Sequence, residues 1–179
     1  LLVMATMVNN MAIGFEAALE EIDNMNDDGN PAKFSSYRYS FSENVGGAAG
    51  PLYAAAFNRA AKACDENTSF TVDSVIKVLG EAIEAIKKRG RVEPGEKTML
   101  DVLIPVHTAF VKGKEKDLTL FQCLGEASRA AKEGADYTRT ISASKGRASY
   151  LGIRSIGHQD PGATSSLIMV RELYNFFQR

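Results

Sequence analysis

The chain has 179 residues, 45% of them apolar and 24% charged, proportions that suit one soluble globular domain with a core of its own. Its 21 Lys and Arg against 22 Asp and Glu leave a formal net charge of −1, which argues against nonspecific attachment to nucleic acid or to an anionic membrane. The two cysteines, Cys64 and Cys123, form no close-spaced metal or redox pair and read as free thiols.

The opening LLVMATMV is apolar but short, lacks a basic flank and a small-residue cleavage site, and is interrupted by Asn9 and Asn10. It fits neither a transmembrane span nor a signal peptide, so a cytoplasmic location is expected. From Met11 to Ile22 the apolar positions Met11, Phe15, Ala18, Leu19 and Ile22 recur at helical spacing. The acidic run from Asp23 to Asn30 fails as a calcium loop, because Ser35 stands where the bidentate Glu belongs, and it reads as a solvated turn. Pro51 suits the first position of a helix, where its missing N–H costs nothing, and Leu52, Tyr53, Ala56, Phe57, Ala60 and Cys64 form its stripe. Thr71 can cap the next helix, whose buried face runs through Val72, Val75, Ile76, Leu79, Ile83 and Ile86. Thr119 and Gln122 have capping-box spacing ahead of Phe121, Leu124, Ala127 and Ala131. A last helical stretch from Ala163 to Phe177 carries Leu167, Ile168, Leu173, Tyr174 and Phe177. No segment alternates over strand length, so an up-and-down helical assembly without a sheet is predicted.

Three glycine-rich, polar interruptions fall at predicted helix ends and can converge at one end of a bundle. In NVGGAAGP (Asn44 to Pro51) the paired glycines let backbone N–H groups approach a ligand, and the helix start behind them suits a phosphate. It is not a Walker loop, since no Gly-Lys-Ser/Thr follows, and on this segment alone tight packing through small residues is the favoured account. In RGRVEPGEKTM (Arg89 to Met99) Pro94-Gly95 marks a turn, Lys97-Thr98 opens a helix, and Asp101 offsets the dipole in its first turn. Cap and turn chemistry covers all of this. The third, from Ser144 to Ala163, carries four glycines with Lys145, Arg147, Arg154, His158 and Asp160-Pro161. A loop of that length is functional or disordered, and Tyr150, Leu151, Ile153 and Ile156 argue for order. Arg147 is the choice for a phosphate clamp, because a guanidinium matches phosphate oxygens bidentately. His158 has no nucleophile beside it and reads as a structural hydrogen-bonding residue.

Taken together, VGGAAGPLY, GRVEPGEKTMLDVLIP and ASKGRASYLGIRSIGHQDPGATSS resemble the L subunit of dihydroxyacetone kinases, from about Asn10 to the C-terminus. The resemblance implies an all-α, eight-helix barrel-like bundle with its first helix partial, a nucleotide site at one end, and residues 1–179 as a single phosphoryl-transfer domain with an incomplete N-terminus. It implies ADP or ATP and magnesium as cofactors. It also implies a separate K subunit that holds dihydroxyacetone on its own histidine, and in some bacteria a phosphotransferase-system M subunit that recharges the nucleotide. Carried over, Asn10 matches the Asn of the N-terminal nucleotide motif, and Gly47, Ala48 and Ala49 match the phosphate loop, where Ala49 replaces a common Ser. Gly90 and Met99 match residues lining the nucleotide. Arg147 matches the phosphate-side arginine and is the catalytic candidate, and Asp160, Pro161 and Gly162 match the closing loop. A Glu usual in the family is Ile153 here. No metal ligand can be assigned: the family's acidic run before its Asn-Met pair is replaced by MATMVN, with no acid between Leu1 and Asn10. An acidic loop outside these residues near Val8 and Asn9, a shortened chain, and a paralogue that binds nucleotide poorly and no longer transfers phosphate are the three accounts. The first is favoured, because LLVMATMV reads as part of an upstream helix.

Overall fold

A computed structural model describes residues 2–23, 45–64 and 69–179. Every regular element among them is helical: α1 (Leu2–Asp23), α2 (Ala49–Ala63), α3 (Val72–Gly90), α4 (Leu100–Glu115), α5 (Leu120–Tyr137), a 3₁₀ segment (Arg147–Ser155) and α6 (Pro161–Phe176). None of the described helices is long and apolar enough to cross a membrane. The acidic stretch beyond Asp23, with Ser35, and Asn44 of the first glycine-rich segment lie outside the described residues. The chain divides into two compact units, Leu1–Phe70 with Lys77–Arg91 and Thr71–Ile76 with Val92–Arg179.

In the first unit α1 runs without a break through Val8 and Asn9. The opening stretch is therefore helical, as read from the sequence, while no loop opens at Val8–Asn9 within this chain. Met11 is buried, but Phe15 and Leu19 of the predicted stripe are exposed. α2 begins at Ala49, two residues before the predicted start at Pro51. Pro51 still lies within the first turn, where an N–H has no helical acceptor to lose. Tyr53, Ala54, Ala56 and Ala61 form the buried face of α2, with the Tyr53 ring stacked on Phe57 at 6.4 Å. Ile83 and Ile86 supply the buried side of α3, and Arg59 Nε reaches Glu81 Oε2 at 2.5 Å.

The second unit is built on α4, α5 and α6, which pack against one another. Leu100, Val102, Val106 and Phe110 of α4 meet an α5 face of Cys123, Leu124, Ala127, Ala131 and Ala135, all almost without solvent contact. The alanines recur every fourth residue, so α5 offers a smooth stripe along which another backbone can lie close. At Gly134 the approach is closest: an added Cβ would lie 2.1 Å from the Asp101 carbonyl oxygen. That carbonyl is the one that Pro105, four residues on and inside α4, has no N–H to bond. The glycine's own C–H faces it instead, a weak but recurring kind of contact. α6 buries small residues, Gly162, Ala163, Ser165 and Ser166, whereas Ile168, Leu173 and Phe177 of the predicted stripe are exposed. Phe121 and Tyr174 stack at 5.3 Å to join α5 and α6.

The predicted caps are present. Thr119 accepts from the Gln122 amide while the Gln122 side chain accepts from the Thr119 amide, a complete capping box. Thr71 does the same with Ser74, at 3.2 Å and 2.9 Å.

Candidate functional site

The ten residues singled out from the sequence fall five to each unit. Asn10, Gly47, Ala48, Ala49 and Gly90 belong to the first, and Met99, Arg147, Asp160, Pro161 and Gly162 to the second.

In the first unit, Asn10 on α1 stands against the glycine-rich turn: an added Cβ at Gly46 would lie 3.1 Å from its carboxamide nitrogen. Gly47 takes φ +77° with open space around it, so glycine is there for its backbone conformation rather than for lack of room. Ala48 is the N-cap of α2 and offers no side-chain cap. The first amides of α2 are thus left for a ligand or water, the condition under which a helix start binds anions. Gly90 closes α3 and is half-buried.

In the second unit the turn before α4 is more constrained than cap and turn chemistry predicted. Asp101 is buried, and its two oxygens accept from the amides of Gly95 at 2.5 Å and Thr98 at 2.8 Å. Met99, also buried, is the N-cap of α4. Lys97 does not open the helix, which starts at Leu100; it takes a left-handed conformation, φ +61°. Its side chain is buried at 3% exposure, and its ammonium donates to three carbonyls: Thr138, Ile141 at 3.2 Å and His158 at 2.6 Å. Burial pushes the Lys97 pKa below its ordinary value, with the Asp160 carboxylate pulling the other way.

Asp160 is the N-cap of α6, its Oδ2 accepting from Ala163 N at 2.8 Å, and Pro161 occupies the first helical position. Burial pushes the Asp160 carboxyl up to about 6, against the amides of Ala163 and Gly162 and the Lys97 charge, which pull it down. Gly162 leaves no room for a side chain, since a Cβ would meet Asp160 Oδ2 at 2.9 Å and Met99 at 3.4 Å. Met99 and the Asp160–Gly162 run are therefore brought together. Arg147 starts the 3₁₀ segment after Gly146 (φ +65°) and is exposed, with no ion pair among the described residues. Just upstream, Ser144 and Lys145 are held by Glu96, through Ser144 Oγ at 3.3 Å and Lys145 Nζ at 3.6 Å.

The long third loop is ordered, as its composition suggested, but not by burying its apolar residues. Tyr150 and Ile153 are 87% and 80% exposed. Order comes from hydrogen bonds: Ser155 Oγ donates to Gly152 O at 2.6 Å and accepts from Ala143 N at 2.9 Å, and Gly157 N donates to Arg139 O at 2.7 Å. His158 contributes its main-chain oxygen to Lys97, not its exposed imidazole. Sequence reading missed Lys97, Thr138, Asp101 and Glu96 as organisers. The available signal was a lysine and two acids crowded around a Pro-Gly turn.

A magnesium site can be tested against these donors. Among the described residues no three His, Cys, Asp or Glu side chains come together, and the carboxylates of Asp101 and Asp160 already serve as caps. The described residues do not form a cage for the ion.

The DAK2 domain family profile matches residues 7–175. The chain is 39% identical over 164 residues to the ADP-binding subunit DhaL of the PEP-dependent dihydroxyacetone kinase of Escherichia coli K12, covering 92% of this chain and 78% of that protein. It is 35% identical, over 92% of its length and 77% of the relative's, to the ADP-binding subunit DhaL of the PTS-dependent dihydroxyacetone kinase of Lactococcus lactis. Similarity extends to the native crystal structure of the dihydroxyacetone kinase of C. freundii, with a TM-score of 0.70 and 22% identity across 93% of this chain and 28% of that one. That likeness establishes the shared all-helical fold.

Proposed function

This chain belongs to the DAK2 domain family, and we propose that it is the nucleotide-binding subunit of a dihydroxyacetone-type kinase. It holds a nucleoside di- or triphosphate and passes a phosphoryl group to dihydroxyacetone on a separate K subunit. The single observation that carries this reading is the similarity to ADP-binding subunits over 92% of the chain, at 39% identity. The unbroken match from residue 7 to residue 175 supports treating both compact units as parts of one domain.

The site residues take the roles that their local chemistry suits. The uncapped start of α2, with Gly47, Ala48 and Ala49, receives phosphate oxygens on backbone amides. Asn10 steadies that turn, and Gly90 and Met99 each keep the nucleotide-lining role that the family resemblance gives them. Arg147 is an exposed guanidinium near the start of the third loop and clamps the phosphoryl group as its charge develops. The Asp160-Pro161-Gly162 run closes the site. Magnesium would supply charge neutralisation in phosphoryl transfer, as it does generally. A phosphotransferase-system M subunit recharges the bound nucleotide, and the work is done in the cytoplasm.

Calorimetry with ADP, with and without magnesium, on a protein of confirmed mass tests the reading. Tight binding is expected. A protein of this mass that binds no ADP under either condition would be a relative that kept the fold and lost the activity.

A further inference from the structure

A lysine in a turn-rich motif near a phosphate site is ordinarily expected to reach the phosphates as a point charge. Lys97 does not have that option. An ammonium carries three donors, and those of Lys97 go to the carbonyls of Thr138, Ile141 and His158. These acceptors lie on two stretches, the turn that ends α5 and the run that leads into α6. Thr138 grips the same run a second time. Its fully buried hydroxyl accepts from Asp160 N at 3.0 Å and donates to Ala135 O at 2.7 Å. The His158–Asp160 backbone thus hangs from one buried ammonium and one buried hydroxyl. Directly below it, Asp160 caps α6 and Gly162 lies against Met99.

We propose that Lys97 and Thr138 are positioning residues that set the Asp160–Gly162 closing loop for nucleotide binding without touching the nucleotide. This rests on the nucleotide-binding reading above. Lys97 gathers three carbonyl dipoles that would otherwise repel one another, and Thr138 fixes the Asp160 amide. Removing either lets the same loop drift, so their effects on affinity overlap rather than add.

The test is ADP calorimetry on the full chain carrying Thr138→Val, Thr138→Ser, Lys97→Met, or Lys97→Met with Thr138→Val, together with amide hydrogen exchange. Thr138→Val keeps the volume and loses the hydroxyl, and is expected to weaken ADP binding about tenfold. Thr138→Ser keeps the hydroxyl and stays within about twofold of the parent. A role in packing alone reverses that order. Lys97→Met weakens binding at least as much as Thr138→Val, and the double variant is no weaker than the worse single one. The Asp160 and Ala163 amides exchange faster in each weakened variant. ADP binding unchanged in Thr138→Val overturns the inference, even if Lys97→Met fails to fold. Loss in Lys97→Met alone, with a normal Thr138→Val, also overturns it and makes Lys97 a phosphate ligand or a purely structural group. A parent chain that does not bind ADP overturns the functional reading itself, which the Thr138 result in a binding parent leaves untouched.

Discussion

Asp160→Asn isolates the cost of the buried carboxyl at the head of α6. Burial raises its folded-state pKa from 3.8 to about 6, whereas the unfolded chain returns it to the ordinary value. Between these values the folded protein holds a proton that the unfolded chain has released, so this group makes stability fall as pH rises from about 4 to about 6. At about 1.4 kcal/mol per pH unit, the gap from 3.8 to about 6 amounts to about 3 kcal/mol by neutral pH. Asparagine offers an acceptor to the Ala163 amide without the charge, so the variant loses the penalty and keeps the cap. Urea denaturation of parent and variant from pH 4 to pH 7.5 reads the difference directly. The two are expected to be equally stable near pH 4, with the variant gaining up to about 3 kcal/mol by pH 7. Other carboxylates titrate in both proteins and cancel in the comparison. A difference that is flat across this range, or an asparagine variant less stable at pH 7, would refute the assignment of the raised carboxyl to Asp160.

Two further expectations concern the second unit. Gly134→Ala places a methyl where the Asp101 carbonyl already stands, 2.1 Å from the ideal Cβ, so α4 and α5 must separate; a loss of about 3 kcal/mol or more, read as a drop in Tm, is expected. Thr119→Ala removes half of the capping box of α5 and is expected to cost about 1 kcal/mol in urea denaturation, with ADP affinity unchanged.

How much was legible in the sequence depended on the range of the forces involved. The Thr119–Gln122 and Thr71–Ser74 caps act across three residues, and the sequence displays the Thr119–Gln122 pair and the Thr71 cap openly. The alanine repeat of α5 likewise announces its buried face, because helical period is a local property. The start of α2 was misplaced by two residues because proline tolerates several first-turn positions. The C-terminal stripe misled more seriously: α6 buries glycine, alanine and serine against its neighbours and leaves Leu173 and Phe177 exposed. Hydrophobicity marks a buried face only where packing leaves room for large side chains. The clasp at Lys97 was invisible for a different reason. Its three acceptors lie 41, 44 and 61 residues away, and main-chain carbonyls leave no trace in residue identity. Of the candidate site, the glycines, Asp160 and Arg147 were readable as residue types. The backbone that aims them was not.

The two compact units do not follow one another along the chain. The opening residues of α3 belong to one and the remainder to the other, so the polypeptide passes between units three times, after Phe70, Ile76 and Arg91. No single break in the chain can therefore separate the two units cleanly. Recombination between relatives at any one point would graft part of one unit onto a foreign remainder. Neither unit is one contiguous stretch that could be moved without carrying residues of the other. That suits a chain that its family matches as one stretch, from residue 7 to residue 175.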